Sequence, residues 1–323
     1  MPKEKKHEVL MDADVWDEKV FKNEHEVINR WLKSKDSVDN SRRTLNTYSR
    51  TAAKFFHEVF PELSPEEVYV EHVEEYLRQL DERDVAQNTK RRYIESLSSF
   101  YDWASKRRST DISYNPAGVV LEQLDKVRRE RPDTATWENG KRIIQEIPDP
   151  RDKTAAILMA KTGARTKEVL TVKEEDLMLD DGFIRFKDRK GGTTTKNPLD
   201  DEAVQAVRRL QAVSSDDSEF MFTAIHGGRV KRERIRREVR RAAVRAGVME
   251  SEDEQRWHYK FTPHYYRTIF TSLMRNSEPG LKDHWVGYLR GDSDQSIKDL
   301  YTRTPHEKIR KRYLETIKPL NLY

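Results

Sequence analysis

His264 and Arg267 stand three residues apart in "FTPHYYRTIF", residues 261–270. Thr262 can cap a helix with its hydroxyl and Pro263 suits the first helical position. Both cationic side chains are therefore expected in one first turn, on one face. That end of a helix already carries partial positive charge and unpaired N–H groups. Two further cations there are unfavourable unless an anion joins them, and a phosphate fits. A second His-x-x-Arg, His226 and Arg229, encloses Gly227 and Gly228 and lacks the Thr-Pro opening, so it reads as a turn.

Other cations are grouped rather than scattered. In "GGRVKRERIRREVRRAAVRAG", residues 227–247, basic side chains far outnumber Glu233 and Glu238, an excess that suits a nucleic-acid backbone. Arg229, Lys231 and Arg232 open this run. Arg42 and Arg43, and Lys90, Arg91 and Arg92, lie near the starts of two expected helices and are read as phosphate contacts. Phe55, Phe56, Tyr93, Phe100 and Trp103 recur at helical spacing and are assigned to packing. The net charge of +4 is small, so its distribution, not its sum, points to a polyanion.

The chain that must position these groups has 323 residues, 35% hydrophobic and 37% charged, a surface-rich and mainly helical profile with room for two domains. With no cysteine, disulfides, thiolate zinc sites and cysteine nucleophiles are excluded. No apolar run reaches membrane-span length, and the expectation is a cytoplasmic protein. Residues 1–20 read as a loose tail and 21–120 as a helical domain, with Ser41 or Thr44, Ser64 and Asn88 as helix caps. Residues 121–135, charged and proline-containing, read as a linker, and 136–323 as a second domain. Within it "GFIRFKDRKGGTTTKNPL" alternates and turns at Gly-Gly, which predicts a β-hairpin.

The order "TGARTKEVLTVKEEDL", "FIRFKDRKGGTTTKNPL", "TPHYYRTIF", "VGYLRG", "KDLYTRT" resembles the catalytic domain of tyrosine recombinases, the phage-type integrases and Xer-like site-specific recombinases. The first domain resembles their SAM-like core-binding domain and closes with the usual Asn-Pro, Asn115 and Pro116. The resemblance covers roughly residues 20–320. It implies a mainly α fold with a small antiparallel hairpin or sheet in an α+β catalytic domain. It also implies cutting and rejoining of double-stranded DNA through a 3′-phosphotyrosine, without metal, ATP or other cofactor.

Residue by residue, Arg165 matches the first clamp arginine, and its guanidinium can hold two phosphate oxygens at once. Glu168 matches the acidic position that supports it. Lys190, before Gly-Gly, matches the lysine that protonates the departing 5′ oxygen, with Arg189 and Lys187 as neighbours open to confusion with it. Arg267 matches the second clamp and His264 its proton-handling partner, while Thr268 stands where a second histidine is common. Tyr288 stands where the family shows histidine or tryptophan; His284 and Trp285 are alternatives, and "LRGD" reads as a short insertion. Tyr301 matches the nucleophile, with Tyr313 as rival.

The resemblance further implies a homo-oligomer, dimeric or tetrameric on DNA and joined through the C-terminal tail, with nucleoid association. Two other readings remain open: a DNA-binding protein of this fold without catalysis, and a type IB topoisomerase-like enzyme.

Overall fold

The computed structural model describes residues 22–38, 42–127, 130–187, 189, 193–213, 219–224, 228–292 and 305–322. The chain divides into two compact units, Met1–Arg129 and Glu130–Tyr323.

In the first unit α1 (Glu26–Asp36), α2 (Arg42–Ala53), α3 (Val70–Glu82), α4 (Gln87–Ala104) and α5 (Pro116–Gln123) each turn an apolar stripe inward. Ile28, Trp31, Phe55, Tyr76 and Phe100 are buried, and the four aromatic rings meet edge to face: Phe55 with Tyr76 at 5.2 Å, Trp31 with Phe100 at 5.4 Å. Tyr93 and Trp103 pack half-buried against this cluster, as the helical spacing predicts. α2 runs on into a π-helical stretch, Lys54–Val59, which carries Phe55 and Phe56 into the core. Asn115 caps α5 by accepting the Gly118 N–H at 2.7 Å, and Pro116 takes the first helical position. Asn88, in contrast, lies inside α4 and donates to the Val127 carbonyl at 2.9 Å.

Two of the expected DNA contacts are structural ties. Lys90 is buried against Asp81, joining α4 to α3. Arg91 pairs with Glu95 at 3.1 Å and reaches the Leu121 carbonyl at 3.3 Å, joining α4 to α5. Arg42, Arg43 and Arg92 are exposed. The expected linker is also shorter than 121–135, because α5 extends to Gln123 and Thr134 and Ala135 are buried in the second unit.

The second unit is built round α7 (Pro150–Thr162), whose residues Ala155 to Ala160 are all buried. α6 (Trp137–Gln145), α9 (Asp201–Val213), α10 (Arg232–Arg245) and α11 (His264–Asn276) surround it. The predicted hairpin is β2 (Phe183–Phe186) with β3 (Thr195–Pro198), antiparallel with Phe186 opposite Thr195. β1 (Leu177–Met178) adds a third strand in the order β1-β2-β3. α8 (Thr166–Leu170) precedes the sheet; α12 (Asp283–Arg290) and α13 (His306–Thr316) complete the unit.

The C-terminal segment sits on its own unit. Tyr313 donates to the Lys161 carbonyl at 3.0 Å, Thr316 to the Pro279 carbonyl at 2.6 Å, and the Leu320 N–H to Glu202 at 2.6 Å. The Lys161 ammonium, with no exposed side-chain surface, meets Glu202 at 2.8 Å and the Lys318 carbonyl at 2.8 Å. Such a charge is tolerated in the interior only because anions and a carbonyl replace its water. Among the described residues, no helix is long and apolar enough to cross a membrane.

Candidate active site

α7 ends on Gly163, whose φ of +66° is the left-handed conformation that favours glycine; a Cβ there would lie 2.3 Å from the Phe270 ring. The chain then turns directly into α8, and Arg165 becomes its N-cap residue. The Arg165 N–H donates to Glu168 Oε2 at 2.7 Å and its Nη1 to Oε1 at 2.8 Å, so one carboxylate fixes both backbone and guanidinium. Glu168 Oε2 also accepts from Arg189 Nη2 at 2.8 Å. Arg189 is fully enclosed, its Nη1 donating to Thr195 Oγ1 at 2.6 Å and to the Leu289 carbonyl at 2.8 Å.

Burial alone would raise the Glu168 carboxyl, but the Arg189 and Arg165 contacts overcome it and hold the group below the usual glutamate range. Glu168→Ala is therefore expected to cost about 3–5 kcal/mol, since it leaves the Arg189 charge buried without its partner. Urea denaturation of the variant checks this. The same pair fixes the sign of the pH dependence. Its stabilisation is complete above the unfolded carboxyl's range and is lost as pH falls through the lower folded value.

α11 supplies the second arginine. It opens at His264 with Pro263 as N-cap, one residue later than expected, and Thr262 contributes its carbonyl to the Tyr265 N–H at 2.9 Å. Arg267 is buried: its Nη1 donates to the Gly163 carbonyl at 2.9 Å and the Arg290 carbonyl at 2.7 Å. Desolvation, with Arg290 and Arg165 nearby, lowers its guanidinium to about 10, so it stays charged at neutral pH. Arg267 Nη2 donates to Asp292 Oδ1, and Arg165 Nη2 lies 3.7 Å from that same oxygen. Two arginines from separate helices thus meet on one oxyanion.

His264, on the exposed side of α11, is pushed down by the protein packed round its base and by Arg267, Arg165 and Arg290. Its imidazole is thereby kept neutral and able to accept a proton.

The flanking candidates separate cleanly. The Tyr288 hydroxyl accepts the Lys196 N–H at 2.8 Å, and its contacts run to β3 and His306. His284 is exposed and meets edgewise the ring of Trp285 at 5.8 Å, which is itself half-buried against the core. The carboxylate on the arginines comes instead from Asp292, in the segment "LRGD" that reads as an insertion. Gly291, at φ +62°, turns the chain there, where any Cβ would lie 2.3 Å from Arg189 Nε. Arg189, Arg290 and Asp292 are the site residues that spacing did not single out for these contacts. Lys187 is held by Glu175 at 2.7 Å and Asp176 at 2.8 Å. Lys190 and Tyr301 lie outside the described residues. Tyr313 is fully buried, which pushes its phenol well above the ordinary range and keeps it from any substrate.

Residues 136–307 match the phage integrase family, and residues 27–111 match the phage integrase N-terminal SAM-like domain. The chain belongs to the phage integrase family. This integrase is 26% identical to tyrosine recombinase XerD of Staphylococcus saprophyticus over 255 residues, covering 75% of this chain and 81% of that one. It is 21% identical to tyrosine recombinase XerA of Pyrococcus furiosus, covering 88% and 92%. Its fold is shared with a lambda integrase dimer bound to a COC′ core site, with TM-score 0.65 and 17% identity over 88% of this chain and 76% of that one.

Elsewhere on the integrase's second unit, Arg229, Lys231, Arg232, Arg236 and Arg237 are all exposed. Lys167, Arg229, Lys231 and Arg232, with Phe220 and Glu233, line a cavity of about 450 Å³. Arg234 of the same run is turned inward to Asp149 at 2.7 Å and Asp152 at 3.0 Å. Its role is to hold α10 on α7.

Proposed function

We propose that the protein is a site-specific DNA recombinase that cuts and rejoins duplex DNA through a covalent 3′-phosphotyrosine. The observation that carries this reading is the convergence of Arg165 and Arg267 on one carboxylate oxygen, the geometry needed to grip the non-bridging oxygens of a single phosphodiester. The Tyr301 phenolic oxygen attacks phosphorus as the bond to the 5′ oxygen breaks. Neutral His264 takes the phenol proton, and Lys190 supplies the proton of the departing 5′ hydroxyl. The assignment of Lys190 is supported by the commitment of its neighbours, Lys187 to Glu175 and Asp176, and Arg189 to Glu168. One phosphate ester replaces another, so attack by a 5′ hydroxyl reseals the strand without external energy.

The partner is double-stranded DNA, contacted by Arg43 and Arg92 on the first unit and by Arg229, Lys231, Arg232, Arg236 and Arg237 on the second. Exchange requires several copies on paired sites. The C-terminal segment is seated on its own unit, so joining copies through it requires that it first undock.

Nicked duplexes of randomised sequence, from which the short fragment bearing the released 5′ hydroxyl escapes, test the reading. A protein–DNA adduct stable to denaturation and ending in a 3′-phosphotyrosine is expected. Tight duplex binding without any adduct would identify a DNA-binding protein that has lost catalysis.

A further inference from the structure

The phosphate clamp already holds an anion from its own chain. Asp292 Oδ1 meets Arg267 and lies 3.7 Å from Arg165, while Oδ2 lies 3.3 Å from Arg290 Nε. These guanidinium groups come from the start of α8, the first turn of α11 and the end of α12. Glu168, the other acid of the site, differs in placement: it is buried behind Arg165 and fixed there by Arg189. Asp292 keeps a third of its side-chain surface exposed.

The geometry points to Asp292 as a resident surrogate for the scissile phosphate, a carboxylate that keeps Arg165 and Arg267 convergent and gives way when a phosphodiester enters. This rests on the proposed recombinase reading. A carboxylate and a phosphodiester each present two oxygens that share one negative charge, so one can replace the other without changing the charge of the site. Both cannot occupy it, because like charges at contact distance repel strongly. Without the surrogate, four cationic groups, Arg165, Arg189, Arg267 and Arg290, would lie close together, offset among the described residues by Glu168. Asp292 thus lowers the cost of assembling the clamp before DNA arrives and sets the threshold that a substrate phosphate must exceed.

The test uses the full chain and inorganic phosphate as probe. Asp292→Asn is expected to bind phosphate about tenfold more tightly than the unaltered protein, and to lower the nicked-duplex concentration giving half-maximal single-turnover cleavage without raising the limiting rate, because a resident competitor has been removed. Glu168→Gln provides the contrast and should gain no phosphate affinity. Equal or weaker phosphate binding by folded Asp292→Asn would overturn the inference and leave Asp292 as a simple brace. The unaltered protein gives a second readout independent of variant folding. Phosphate titration should move the Asp292 carboxyl carbon and Arg267 guanidinium nitrogen resonances together, and a stationary Asp292 signal at saturation would overturn the proposal. Loss of the recombinase reading is a separate result, since it shows as no adduct on any nicked duplex with the unaltered protein.

Discussion

Tyr301→Phe is expected to abolish the covalent protein–DNA adduct while duplex affinity stays unchanged. The substitution removes one oxygen and keeps the ring, so the only function lost is the nucleophile. Binding draws on arginines and lysines that Tyr301 does not supply. Loss of a nucleophile in a covalent mechanism leaves no alternative route to the intermediate, and a rate fall on the order of 10⁵-fold or more is expected. Denaturing electrophoresis of protein incubated with nicked duplex reads the adduct, and a mobility-shift titration reads the binding. An adduct that persists in the phenylalanine variant would refute the assignment. Tyr313 would not be the replacement, because its hydroxyl is buried on the Lys161 carbonyl.

Arg267→Ala should lower the single-turnover cleavage rate by about 10²–10³-fold, the usual result of deleting one preorganised donor to a developing oxyanion. The loss reaches beyond the phosphate. Arg267 also satisfies the carbonyls of Gly163 and Arg290, so its removal leaves acceptors from the α7–α8 turn and the end of α12 unpaired. A buried acceptor without a donor costs about 1–3 kcal/mol, and the unfolding midpoint should fall accordingly. Arg267→Lys separates the two roles. An ammonium preserves the charge, but it is a compact group without the planar fork that serves two carbonyls and an oxyanion at once. Cleavage by the lysine variant is expected to stay well below that of the unaltered protein. A lysine variant as active as the parent would show that charge alone, not bidentate grip, is what the site requires.

Much of the architecture was legible in local pattern. Apolar residues at helical spacing marked the helices of the first unit, and alternation about Gly-Gly marked the β2–β3 hairpin; Asn-Pro at 115 and 116, read as the close of the first domain, instead opens α5. These features depend on residues a few positions apart, whose geometry the backbone itself dictates. His264 with Arg267 was readable for the same reason, because three residues along a first helical turn already share one face, whereas Arg165 with Glu168 was legible only through the family resemblance.

Tertiary packing decided the rest. The neighbours of Lys190 look alike in sequence, yet Arg189 crosses to Glu168, 21 positions away, while Lys187 turns outward to Glu175 and Asp176. Lys90 and Arg91 have the composition of phosphate contacts, but the adjoining helices offer them acids and carbonyls first. Tyr288 holds the expected place in the motif order, although α12 turns its hydroxyl onto the Lys196 N–H. Sequence by itself therefore determined the helices, the hairpin and the order of the chemical groups, because short-range spacing and side-chain type suffice for these. Which cation faces the clamp, which is consumed as a brace, and that Asp292 lies on the arginines depended on residues from 9 to 127 positions apart packing together. No local periodicity encodes those distances.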